Sequence, residues 1–180
     1  MTSAPTRHRR GRLILRMLDA APGPAAAAWR RDRAALDALA TEALPWVIAK
    51  AVEMPMVHGL DVGPRIIYEQ PPPYEHALEY LQAAANGYSF DDPRGWYEAE
   101  DAARPLDRIR EYEAGVSALC RRWGLTEPWA ARMIVHADLR AVAARDPAAG
   151  DSALDALAGT EGERADPALE ADVVAILARA

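Results

Sequence analysis

Residues 104–123, RPLDRIREYEAGVSALCRRW, decide the fold class. Leu106, Ile109, Tyr112, Val116, Leu119 and Trp123 recur at steps of three or four, the spacing of one face of an α-helix. Charged residues fill the remaining positions, so the stretch reads as an amphipathic helix with one side in a core. Gly124 follows as its stop, because glycine enters the left-handed backbone region that ends many helices without steric cost.

Beyond the stop, Thr126 offers an N-cap and Pro128 a first-turn residue for a second helix that ends near Arg145. Trp129, Ala130, Met133, Ile134, Ala137 and Ala141 form its apolar side. Taken together, residues 116–140 resemble a helix-turn-helix DNA-binding motif. Cys120 is the small residue four positions before the turn glycine, Gly124 is the turn, and Leu119, Trp123, Leu125, Ala130 and Met133 are the packing positions. The resemblance implies that the helix from Glu127 enters the major groove, with Arg132 toward bases and Arg121 and Arg122 toward phosphates. The basic N-terminus, with Arg7, Arg9, Arg10 and Arg12, adds a candidate nucleic-acid arm. An ordinary helical hairpin needs the same glycine and the same stripe, and alanines stand where base-reading side chains usually project.

Upstream, Arg9 to Leu18 reads as a short helix with Leu13, Ile14, Met17 and Leu18 together, broken by Ala20 to Pro24. A helix from Pro24 to about Leu44 carries Trp29, Leu36, Leu39, Ala40 and Ala43. Pro45 is expected to kink it or to start the next helix. Trp46 to Met54 reads as a buried helical segment closed by Pro55. A small β-hairpin is expected near residues 56–69, from Met56-Val57-His58 and Arg65 to Glu69 around Gly59, Gly63 and Pro64. Three prolines then lead to a helix from about Tyr74 to Asn86-Gly87, and Trp96 to Ala103 offers a helical turn.

Downstream, Asp146 to Gly150 reads as a linker and Asp151 to Leu157 as a weak helix. A last helix from about Pro167 carries Leu169, Val173, Ile176 and Leu177. The fold class is therefore mainly α, a bundle of about five to seven helices. Its expected organisation is a basic N-terminal arm or short helix (1–23), a helical core domain (24–146) and an acidic C-terminal helical appendage (147–180).

The 180 residues carry a net charge of −6, unevenly spread. Five arginines and no acid occupy the first 18 residues, whereas residues 147–180 hold seven acids against Arg164 and Arg179. Opposite ends of opposite sign favour self-association or a polyanion contact at the head. One cysteine, Cys120, rules out an intramolecular disulfide and points to a reducing, cytoplasmic setting. No apolar run reaches membrane-spanning length. Lys50 is the only lysine, and the Ala, Arg, Gly and Pro usage suggests a GC-rich bacterial coding sequence.

Catalytic signatures are sparse. Ser89, Ser117 and Ser152 lie outside any nucleophile elbow, and no glycine-rich phosphate loop is present. Arg132 and His136 share a helix face, similar to the Arg-His pair of small HEPN-type ribonucleases, but three residues separate them where that family leaves four to six. The activity is not carried over, and a small helical enzyme with a site near His136, Asp138 and Arg132 stays a minor alternative. No metal or cofactor is expected. The expected function is a non-catalytic helical interaction or assembly protein, its partner another protein or a second copy. Tyr88, Phe90, Trp96 and Tyr97 are its candidate interface, because aromatics beside charged residues form the apolar centre and polar rim of many interfaces. A helix-turn-helix DNA-binding protein is the alternative.

Overall fold

A computed structural model describes residues 4–58, 74, 78, 82, 86, 99–145 and 167–179; side chains are described for 9–48, 74, 78, 82, 86, 103–145 and 167–179. The described residues form six helices and no strand: α1 (Ala4–Ala20), α2 (Pro24–Ala34), α3 (Asp37–His58), α4 (Ala99–Arg122), α5 (Trp129–Ala143) and α6 (Pro167–Leu177). Tyr74, Leu78 and Gln82 are also helical. The molecule is a mainly α bundle.

The stripe on α4 is buried throughout, from Leu106 to Trp123 at the helix end. Gly124 adopts φ +62°. Around it, the Leu125 N–H donates to the Cys120 carbonyl at 2.9 Å and the Gly124 N–H to the Arg121 carbonyl at 3.3 Å, the paired bonds of a Schellman stop. Chain direction reverses here, and α5 packs back on α4.

Helix α5 is the hub, packing on α1, α3 and α4. It buries Ala130, Met133, Ile134, Val135, Asp138, Leu139, Val142 and Ala143. Helix α3 packs on α4 and α5, while α1 packs on α2, α5 and α6. One apolar cluster runs through all of them, including Leu13, Ile14, Leu15 and Leu18 of α1 and Leu169, Val173 and Ile176 of α6. Trp29 and Trp123 meet at its centre edge to face, with ring centroids 5.5 Å apart, a favoured aromatic geometry. Their indole N–H groups are both satisfied, Trp29 by Asp19 at 2.7 Å and Trp123 by Asp32 at 2.8 Å.

Several local expectations are corrected. The helix expected from Pro24 to Leu44 breaks at Ala35-Leu36, where the Leu36 N–H reaches back only to the Arg33 carbonyl; the tightened turn buries Leu36. Pro45 and Pro55 neither start nor close a helix, since α3 runs through both. Pro45 and Thr41, one turn apart, are both exposed, so the carbonyl that loses its N–H partner stands on the solvent side. Trp46 is 38% exposed rather than buried, because the buried face of α3 is taken by Val47 and Ile48. Met56-Val57-His58, the proposed first arm of the hairpin, belongs to α3; residues 59–69 lie outside the described residues. Helix α5 starts at Trp129, with Pro128 at its N-cap and no side-chain cap from Thr126. Ala137 and Ala141, assigned to its apolar side, are exposed, because α5 turns Asp138, Leu139 and Val142 inward instead. Both α1 and α4 begin earlier than the periodicity places them.

The crossing of α1 and α5 depends on Gly11. A Cβ there would lie 2.7 Å from Trp129 Cε3 and 3.0 Å from Met133 Cγ, too close to a rigid ring. Gly11→Ala is expected to lower stability in urea unfolding. Overpacking costs about 1–3 kcal/mol, more than the roughly 1 kcal/mol that alanine gains over glycine within a helix. A more stable variant would show that the helices do not meet at this distance.

Candidate interaction site

Only part of the sequence-derived sites falls within the described residues. Tyr88, Phe90, Trp96 and Tyr97 lie outside the described residues, as does the side chain of Arg7. Arg10 is exposed on α1 and pairs with Asp172 of α6; Arg9 is exposed and engaged, and Arg12 is half-buried. Arg121 is exposed, while Arg122 donates to Asp32 at 3.0 Å. Arg132 is half-buried and faces a cleft.

The proposed grouping of His136, Asp138 and Arg132 also divides. Asp138 is 6% exposed and turns into the core. Arg33 of α2 grips it with both terminal nitrogens, at 2.8 Å and 3.3 Å, and the Tyr112 hydroxyl of α4 donates to it at 2.8 Å. A buried carboxylate is tolerable only when paired and hydrogen-bonded in this way. Its role is structural. The signal was present in the sequence, for Asp138 sits midway between Ile134 and Val142 on one helix face, where an acid implies a buried cation.

Arg132 and His136 instead line a cleft of about 340 Å³ between α4, α5 and the helical residues Tyr74 and Leu78. Its apolar lining is Leu78, Val116, Ala131 and Val135. Helical spacing explains the lining: Glu113, Val116 and Ser117 are one face of α4, and Ala131, Arg132, Val135 and His136 one face of α5. The Tyr74 hydroxyl donates to Glu113 at 2.7 Å, so the cleft's one acid is already engaged. Burial raises the Tyr74 phenol well above its ordinary range, and the Glu113 bond and charge push it the same way. Tyr74, Glu113 and Ser117 escaped the sequence analysis because no periodicity joins a tyrosine before α4 to a polar face of α4. Among the described residues, no group of three or more His, Cys, Asp or Glu side chains forms a metal cage. Cys120 is buried, and that burial raises its thiol pKa, which disfavours the nucleophilic thiolate. No described helix is long and apolar enough to cross a membrane.

Two buried phenols give the fold an alkaline limit. Tyr112 is raised by burial first and then by the charge and hydrogen bond of Asp138, against an opposing effect of Arg33. Unfolded tyrosines ionise near pH 10, where these two remain protonated in the fold. The folded chain therefore holds more protons above pH 10, and stability present below that pH is lost as pH rises. Urea unfolding between pH 8 and 11 is expected to show a decline above pH 10 of up to about 1.4 kcal/mol per pH unit for each phenol, shallower in Tyr112→Phe. A flat profile would contradict the burial of both hydroxyls.

No protein-family model, curated protein or solved structure matches this chain.

Proposed function

We propose that this is a non-catalytic helical interaction protein that docks a segment of a partner protein in the cleft between α4 and α5. The observation that carries the reading is the cleft's lining, apolar Leu78, Val116, Ala131 and Val135 beside polar Glu113, Ser117, Arg132 and His136. That is the anatomy of a protein-binding patch. The cationic guanidinium of Arg132 at the cleft favours an acidic residue in the partner segment. The fitting occupant is a segment with an aliphatic anchor and a neighbouring Asp or Glu. Tyr88, Phe90, Trp96 and Tyr97 lie in sequence between the cleft's Leu78 and α4, and we retain them as further interface residues.

The nucleic-acid reading has less support. A DNA-reading helix projects polar side chains from a free face, whereas α5 is packed by three neighbours and exposes Ala131, Ala137 and Ala141. Arg122, expected at phosphates, and Arg10 of the candidate nucleic-acid arm are bonded to Asp32 and Asp172.

Peptide display on the full chain tests the proposal, with counter-selection on Ser117→Arg. Ser117 is exposed at the cleft wall, so the variant fills the cleft without entering the core. Enrichment of peptides that pair an aliphatic residue with an acid, and that fail to bind Ser117→Arg, is expected. No enrichment, or equal binding to both proteins, would contradict the assignment.

A further inference from the structure

The two terminal helices pack on each other. Helix α6 docks on α1 by inserting Leu169, Val173 and Ile176, which are buried, while Ala168, Ala171, Val174 and Ala175 stay exposed. Only one face of an 11-residue helix is used. The contact also has a sign. Residues 1–18 carry five arginines and no acid, α6 brings Glu170 and Asp172, and Arg10 pairs with Asp172 across the contact. The groove on α1 therefore selects a helix with this apolar spacing and an acid beside it.

We propose that this groove is an exchange site that also accepts α6 from a second copy of the chain. Every copy carries the same helix, so the groove cannot distinguish its own from a neighbour's. The 21 residues 146–166 join α5 to α6. Fully extended they reach roughly 70 Å, beyond the roughly 40 Å diameter of a compact domain of this length. Reciprocal exchange gives a two-fold closed pair in which each α1 holds the partner's α6 and no new surface is needed. Covalent linkage within one chain sets an effective concentration on the order of millimolar for the intrachain contact. Intrachain docking therefore dominates in dilute protein, and exchange appears where the protein is crowded together. This proposal is independent of the cleft.

Cross-linking of the full chain tests it. Arg10→Cys and Asp172→Cys place thiols at two solvent-exposed side chains that touch, and Cys120→Ala removes the remaining one. Two versions of different mass are mixed, unfolded and refolded together, and treated with a short bismaleimide at about 10 µM and about 1 mM protein, far below and near the crossover. Links within single chains at the lower concentration, and pairs carrying both masses at the higher, are expected. Single-chain links alone at both concentrations would overturn the proposal, as would no linking at all. A control moves the second cysteine to Val174, on the outward face and 66% exposed. Equal pairing in that control would mark random collision and overturn it as well.

Discussion

The carboxylate of Asp138 is the constraint on which the bundle depends. An isolated charge in this position would cost several kcal/mol in desolvation. Arg33 and Tyr112 offset that cost with three hydrogen bonds from two other helices. Because these bonds require α2, α4 and α5 at one rotation and one height, a polar triad sets a register that apolar packing alone leaves loose. The tryptophan pair extends the same logic. Trp29 and Trp123 lie against each other in the core, and Asp19 and Asp32 fix the indole of each. Three aspartates thus lock the ends of α1, α2 and α4 around the hub helix.

That locking determines what is left for function. With Asp138 turned inward, the positions on the flanking arc of α5 are Arg132 and His136, and they open onto the cleft rather than the core. Two of the arginines that suggested nucleic acid, Arg10 and Arg122, pair with Asp172 and Asp32, and the one acid of the cleft is bonded to a buried tyrosine. The cleft combines polar Ser117, Arg132 and His136 with aliphatic Leu78, Val116, Ala131 and Val135. Burial of Leu169, Val173 and Ile176 holds α6 on α1, and the opposite charges of the chain ends add the exposed Arg10–Asp172 pair across that contact.

Much of the architecture was legible in the sequence. The stripe from Leu106 to Trp123, the stop at Gly124 and the stripe of α6 all follow from periodicity and glycine stereochemistry, which are local. Other features depend on partners distant in sequence. Pro45 and Pro55 read as helix breaks because the sequence does not show that Pro45 faces solvent. Gly11 carries no local signal, for its need is set by Trp129, which lies more than a hundred residues away. Asp138 was grouped with His136 because they are two residues apart, although two residues along a helix point to nearly opposite sides. The cleft joins three segments, so no single stretch announces it.

Equilibrium urea unfolding of Asp138→Asn tests the central claim most directly. The substitution preserves shape and removes the charge that Arg33 is positioned to meet. Loss of at least about 2 kcal/mol relative to the wild type is expected, as for a buried ion pair deprived of one member. A change within about 0.5 kcal/mol, typical of surface substitutions, would show that the triad does not hold the bundle in register.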